Sequence, residues 1–238
     1  MPDSILDLVS DELQSLSQAR EQSPFLFPDA DQAPNLYPVP FFGDIRRART
    51  LTLSLNPSWK EFSPARRWLT GLDSAALATR LLHYFDLPFP ECHPWFEQWE
   101  KALLYCGCSY ERDAAHVDLS SCPTLRPGDI PNGDPRRVAL AELMAENAGR
   151  LPRVLRRCPR VRIVIVIDYE FGFGAGGHLG VFEAFRNLVG NDARFIVDEG
   201  KSPPVIRGEG PGTLPDWIYK NRHPIRRRLE CGEELHFG

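Results

Sequence analysis

The feature that most constrains the fold is an uninterrupted run of five β-branched residues, Ile163–Ile167, inside the longer apolar segment Val161–Ile167. Such a run is typical of a short strand buried on both faces, as in a parallel sheet covered by helices. Similar segments predict strands at Thr50–Leu55, Ala114–Leu119 and Arg194–Val197. Because helical stretches separate these strands, we predict an α/β fold, a three-layer α/β/α sandwich with a short, mainly parallel four-stranded sheet.

Helical spacing of apolar residues gives the remaining predicted elements. Helices are predicted over residues 4–20, 64–85, 94–106, 135–158 and 177–189, with a break near Gly149 and Pro152. Residues 22–44 are rich in proline and aromatics, which predicts an ordered loop. We interpret residues 1–37 as an N-terminal helix and Pro-rich arm, and residues 38–238 as the α/β/α domain of a single globular unit.

Composition narrows the class of protein. The net charge is −4, so a nucleic-acid partner requires a local basic patch. The longest apolar run is far shorter than the ~20 residues of a membrane span, and no signal-peptide pattern opens the chain. The six cysteines lack zinc-ligand spacing, which predicts buried, reduced thiols and a cytoplasmic protein. We expect a monomer with no metal, no cofactor and no membrane contact.

Polar residues follow the first two predicted strands, at the sheet edge where open parallel sheets bind ligands. Asn56 ends the first strand and precedes Pro57, which favours either a turn or an amide that orients a water molecule. His116 and Asp118 alternate along the second strand and therefore share one face. Because a buried carboxylate is costly unless it is paired, Asp118 either forms a structural hydrogen bond or takes part in chemistry.

Two basic runs and one glycine-rich segment are further candidates. Residues 220–228 carry five Lys or Arg and no acid, as in a solvated tail or a phosphate-binding segment. The arginines of residues 150–162 favour placement around the end of a helix. Gly172–Gly177 resembles a dinucleotide-binding loop, which leaves a nucleotide- or dinucleotide-binding protein as an alternative function.

Three short motifs make the chain resemble the uracil-DNA glycosylase superfamily. Residues 54–58, Ser-Leu-Asn-Pro-Ser, stand where the family has Gly-(Ile/Leu)-Asn-Pro-(Gly/Ser) after a strand. Residues 116–123 stand where the family has a strand ending in Asn and then Cys-Pro, and His223-Pro224 stands where it has its C-terminal His-Pro motif. Motif order and approximate spacing agree over residues 38–228. The resemblance implies an α/β/α fold and a monofunctional DNA glycosylase, a hydrolase of N-glycosidic bonds.

The resemblance also implies a role for each matched residue. Asn56 would orient the water that attacks C1′ of the deoxyribose. Asp118 would read the base edge, and His223 would stabilise the departing anion. Trp59 or Phe62 would stack on the flipped base. The other implied contacts are Pro57, Ser58, His116 and Ser120 with the substrate, and Lys220, Arg222, Ile225, Arg226, Arg227 and Arg228 with DNA, with Ile225 and Arg226 at the position of the family's duplex wedge.

Asp118 stands where the family has Asn, and this difference bears on which base is excised. An amide can accept from uracil N3–H and donate to O4, whereas a carboxylate only accepts. A carboxylate instead suits the N4 amino group of cytosine. We therefore predict a hypermodified cytosine in preference to uracil, in antiviral defence or base-excision repair. A catalytically inactive DNA-binding relative is the other alternative.

Overall fold

The computed structural model describes residues 4–64, 71–86, 92–126, 129–166, 170–174, 177–189, 219 and 222–231, which form a mixed α/β fold. Helices α1 to α7 span Ile5–Gln22, Ser74–Leu82, Trp95–Tyr105, Arg136–Ala148, Leu151–Leu155, Val181–Val189 and Arg222–Cys231. Strands β1 to β5 span Thr50–Ser54, Ala114–Asp118, Ile163–Val166, Glu170–Gly174 and Gly177–Gly180. Short 3-10 turns occupy Pro24–Leu26, Trp59–Phe62 and Tyr84–Asp86.

A small open parallel sheet with the strand order β2-β1-β3 positions the rest of the fold. Thr50 of β1 lies opposite Ala114 of β2 and Ile163 of β3, so the three strands start and end nearly level. Their carboxyl ends therefore meet at one edge of the sheet. Side chains alternate across the pleat, which puts Thr52 and Ser54 of β1 on one face and apolar residues of the same strand on the other.

Helix α1 packs into the same hydrophobic core as the sheet and is tied to α5 by ion pairs. Ser4 and Asp7 form a capping box at its start. On its polar side, Asp11 pairs with Arg153 at 2.6 Å. The contacts of Arg150 and Arg157 also reach α1, at Ser15 and at the Ser4 carbonyl. Pairing with α1 thus explains much of the basic run 150–162. The sequence had predicted instead that these arginines surround the end of a helix.

Most predicted elements are confirmed, but the four-stranded sandwich is not. The helices over residues 4–20 and 94–106, the broken helix over 135–158 and the first three strands are present with small shifts of boundary. Arg194–Val197, the predicted fourth strand, lies outside the described residues. The helix predicted over 64–85 was too long: α2 is shorter and is followed by a 3-10 turn, and residues 65–70 are outside the described part.

The described residues of the glycine-rich segment, 172–174 and 177, belong to two paired strands. Strands β4 and β5 pair antiparallel, with Phe171 opposite Leu179. The helix predicted to begin at residue 177 begins instead at Val181. A dinucleotide-binding loop must lead from a strand directly into a helix N-terminus, whose N–H groups hold the phosphates. The interpretation of Gly172–Gly177 as such a loop is therefore wrong.

The cysteines are free thiols, and five of the six are buried; Cys231 is exposed. Burial raises the pKa of Cys106 and of Cys122 to about 12. The described residues contain no cluster of three or more His, Cys, Asp or Glu side chains placed to hold a metal ion. Within the same residues, no helix is both long enough and apolar enough to cross a membrane.

Candidate functional site

A buried polar cluster occupies the carboxyl ends of β1 and β2. Ser54 and Asp118 are direct partners across the two strands, and His116 lies one pleat earlier, opposite Thr52. The Ser54 hydroxyl donates to Asp118 Oδ1, and His116 Nε2 lies 3.2 Å from the same oxygen. The side chains of His116 and Asp118 are only 3% and 1% exposed. The prediction that His116 and Asp118 share one strand face is confirmed.

The other ring nitrogen of His116 extends the cluster into the core. Nδ1 lies 2.8 Å from Thr52 Oγ1, which in turn lies 2.6 Å from the hydroxyl of Tyr110. The imidazole is buried and bonded within the cluster, so the expected direct contact of His116 with substrate is not supported. Three aromatic rings surround it at centroid distances of 4.9, 5.4 and 6.1 Å: Trp95, Phe96 and Phe42.

One oxygen of Asp118 is left unsatisfied. Oδ2 is buried and receives no hydrogen bond from any described residue. A buried acceptor without a donor costs about 1–3 kcal/mol, and more when it is charged. Because nearly all buried polar atoms in native proteins have a partner, each exception needs an explanation. Oδ2 is therefore an atom of this cluster with unused hydrogen-bonding capacity.

Asn56 lies beyond the end of β1, beside the chain that leaves β2. The N–H of Leu119 and the N–H of Ser120 donate to the Ser54 and Leu55 carbonyls, so the two segments run together past the strand ends. The structure thus brings Asn56 and Asp118 to the same edge of the sheet. Pro57, the next residue, is buried, and its ring keeps Asn56 out of the helical region.

The orientation of the Asn56 amide follows from its neighbours. Thr124 donates its hydroxyl hydrogen to the Leu125 carbonyl at 3.1 Å, so its oxygen must accept from Asn56. Asn56 Nδ2 provides that donor at 3.1 Å and also contacts the Pro57 carbonyl at 3.3 Å. Among the described residues, Asn56 Oδ1 accepts no hydrogen bond. The site therefore presents a second acceptor, an amide oxygen held in a fixed direction.

The rest of the first motif is only partly available to a ligand. Ser58 is the N-cap of the turn Trp59–Phe62. Trp59 is half-buried, and its Nε1 has no hydrogen-bond partner among the described residues. Phe62 is 1% exposed and packs against Tyr37 with ring centroids 6.3 Å apart. Phe62 is thus a core residue and not a platform for a base, which leaves Trp59 as the aromatic candidate.

The second motif continues into structural hydrogen bonds. Ser120 is fully buried, and its hydroxyl accepts from the Cys122 N–H at 3.2 Å, so the expected contact of Ser120 with substrate is not supported. The Ser121 hydroxyl donates to Glu12 of α1, whose carboxylate lies 3.6 Å from Arg150. Burial raises the pKa of Glu12 above its ordinary value, and the Ser121 and Arg150 contacts oppose that shift only in part.

Helix α7 lies at the opposite, amino-terminal edge of the sheet. The Leu229 carbonyl accepts from Arg162 at 2.6 Å and from Arg49 at 3.5 Å, and these arginines directly precede β3 and β1. One turn earlier in α7, the Arg226 side chain passes over Gly107, in the loop that leads from α3 to β2. Both contacts hold α7 beside residues that precede the strands, away from the residues that follow the strands.

This placement changes the predictions for residues 220–228. His223 is exposed on α7, and the structure does not bring it to Asn56 and Asp118. Ile225 is 3% exposed and belongs to the core, so it is not available as a duplex wedge. Arg226 and Arg227 are exposed, and the guanidinium of Arg222 lies 4.2 Å over the ring of Tyr219. Lys220 and the side chain of Arg228 lie outside the described part of the structure.

Sequence reasoning missed several members of the site. Thr52 and Ser54 alternate with apolar residues in a buried strand. Because a buried hydroxyl needs a partner, this pattern predicts a polar cluster on their face of the sheet. Tyr110 and Thr124 carried no such signal. They come from loops that reach the strands only through the fold.

No model of a known protein family matches the sequence, and a search of curated proteins finds no significantly similar chain.

Proposed function

We propose that the protein is a monofunctional DNA glycosylase that releases a modified pyrimidine, with a hypermodified cytosine favoured over uracil. The observation that carries the proposal is the buried Oδ2 of Asp118, which has no partner among the described residues. It is an acceptor suited to an exocyclic amino group. Asn56 supplies a second, oriented acceptor at the same sheet edge, where a water molecule can be held. The order of the first two motifs in the sequence agrees with this assignment.

The proposed reaction is hydrolysis of the bond between C1′ and the base nitrogen. A water molecule hydrogen-bonded to Asn56 Oδ1 attacks C1′, and the glycosidic bond breaks with its electron pair leaving on the base nitrogen. The proton that the water loses passes by way of solvent to the released base, and the other product is an abasic site. A neutral amide is too weak a base to remove a proton early, so its contribution is to position the water. Trp59 is the proposed surface for the flipped base, because stacking on an aromatic ring offsets the lost stacking in DNA. His223 has no part in this scheme.

The exposed arginines of α7 are proposed to contact the DNA backbone at a distance from the base. Each phosphate contact releases counterions, so two lost contacts reduce the slope of log K against log salt by about 2. We expect this reduction for the double substitution Arg226→Gln and Arg227→Gln, measured by fluorescence anisotropy with a labelled duplex. Arg20→Gln, at an exposed arginine of α1, is the control. An unchanged slope in the double variant would remove α7 from the DNA-binding surface.

The proposal is tested by base release from a panel of DNA substrates. Duplexes and single strands carry uracil, hydroxymethyluracil, hydroxymethylcytosine or glucosylated hydroxymethylcytosine, and abasic sites are scored by alkali cleavage. Asn56→Ala is expected to lower the rate by about 10²- to 10⁴-fold, as for other positioning and proton-handling groups. Asn132→Ala, at an exposed asparagine before α4, is the matched control. Absence of release from every substrate by the folded protein would favour an inactive DNA-binding relative.

A further inference from the structure

The hydrogen bonds that lead to Asp118 have one consistent direction, and it is set at Tyr110. The Tyr110 hydroxyl is buried, and its partner among the described residues is Thr52 Oγ1 at 2.6 Å. The phenolic hydrogen must therefore point at Thr52, because a buried hydroxyl hydrogen without an acceptor is costly. The backbone N–H of Tyr110 donates to Glu100 at 2.9 Å, which holds the residue in this position.

Thr52 passes the direction on to His116. Since Thr52 Oγ1 accepts from Tyr110, its own hydrogen is available to His116 Nδ1 at 2.8 Å, a better acceptor than the Ala115 carbonyl at 3.5 Å. Nδ1 then accepts, so the ring proton of the neutral imidazole lies on Nε2.

Asp118 receives the end of this chain. The Ser54 hydroxyl donates to Oδ1, and His116 Nε2 lies 3.4 Å from Ser54 Oγ and 3.2 Å from Oδ1. Oδ1 is therefore used as an acceptor, so a neutral Asp118 would carry its proton on Oδ2, where no described residue accepts it. As a carboxylate, Asp118 presents Oδ2 as an acceptor with no hydrogen to offer.

We infer that Tyr110, Thr52 and His116 form a positioning chain that keeps Asp118 an acceptor-only carboxylate, so that the site selects ligands presenting an N–H or O–H hydrogen. The inference rests on the proposed function for the identity of the ligand, which is then a base with an exocyclic amino group. It makes Tyr110 a specificity-determining residue although the substrate does not touch it. A base that presents a carbonyl oxygen at this position meets two acceptors face to face and is rejected.

The chain itself is tested by ¹⁵N NMR of the histidine side chains, with the His116 signals identified by their loss in His116→Gln. The expected result at neutral pH is a protonated Nε2 and an unprotonated Nδ1. Tyr110→Phe frees Thr52 to accept, so Nδ1 should become partly protonated. A protonated Nδ1 in the wild-type protein, whatever its activity, overturns the inference.

Matched variants of β1 separate positioning from a structural effect. Thr52→Val removes the donor to Nδ1 and should shift its signal, whereas Thr52→Ser keeps a hydroxyl and should retain the wild-type spectrum. Thr50→Val makes the same change two residues earlier on the same face, where the hydroxyl contacts Cys108 at 3.3 Å, and should leave His116 unchanged. Equal effects of Thr50→Val and Thr52→Val on the His116 signals would contradict the chain.

The selectivity is tested by the ratio of kcat/KM for a modified cytosine to that for uracil in matched duplexes. We expect Tyr110→Phe to lower this ratio about three- to tenfold, which corresponds to the net contribution of one hydrogen bond. Thr52→Ser and Thr50→Val should keep a ratio near that of the wild type. An unchanged ratio in Tyr110→Phe, with its NMR signal altered, overturns the link to selectivity. Absence of base release by the wild type refutes the proposed function, and the NMR result still decides the hydrogen-bond chain.

Discussion

Replacing Asp118 by Asn changes one acceptor into a donor while the shape of the side chain is kept. The amide oxygen can still receive the Ser54 hydrogen at the Oδ1 position, so the NH2 group takes the place of Oδ2. A hydrogen bond to a charged group contributes about 1.5–3 kcal/mol. At about 1.4 kcal/mol per factor of ten, its loss should lower kcat/KM for a modified cytosine by about 10- to 150-fold.

The same substitution should favour uracil, because the new NH2 group can donate to O4. The assay compares Asp118→Asn with the wild-type protein on two duplexes that differ only in the target base. The variant should fold at least as stably in a denaturant titration, because a buried charge with an unsatisfied oxygen is removed. A ratio of the two kcat/KM values within twofold of the wild-type ratio would refute the argument that Oδ2 reads the base.

Three further predictions concern the burial of Phe62, of Glu12 and of the cysteines. Phe62→Ala should lower the free energy of unfolding by about 3–5 kcal/mol because the ring is in the core; a loss below 1 kcal/mol (on the order of a surface substitution) in a denaturant titration would contradict this. The raised pKa of Glu12 means that the folded state binds its proton more tightly than the unfolded state. Wild-type stability relative to Glu12→Gln should therefore fall as pH rises above the ordinary pKa of 4.5, and a pH-independent difference would count against it. With Ellman's reagent, Cys231 should react quickly in the native protein and the buried thiols only on unfolding; rapid release of further thiols would show that the buried cysteines are accessible.

The sequence predicted the parallel sheet because its strands carry their own signal. The run Ile163–Ile167 and the polar residues after the first two strands depend only on local composition and on the rule that carboxyl ends of parallel strands meet. That rule was enough to place Asn56 and Asp118 at one edge. It was also enough to predict that His116 and Asp118 share a face, since alternation in a strand is local.

The errors come from residues whose position depends on tertiary packing. The apolar side chain of Phe62 is compatible with both a stacking surface and the core, and only the fold decides between them. His223 was placed by its motif, yet the contacts of α7 with Arg49 and Arg162 hold that helix at the other edge. Glycine spacing likewise could not distinguish a phosphate-binding loop from the antiparallel pair of β4 and β5.

Detection of the free base by mass spectrometry decides whether this sheet edge excises bases. A duplex with one glucosylated hydroxymethylcytosine is incubated with the wild-type protein, with Asn56→Ala and with Asn132→Ala. We expect the wild type and Asn132→Ala to release the intact modified base and to leave an abasic site without a strand break. Asn56→Ala should not release it. Intact DNA with folded wild-type protein, or equal release by Asn56→Ala, would contradict the claim that this sheet edge is a base-excision site.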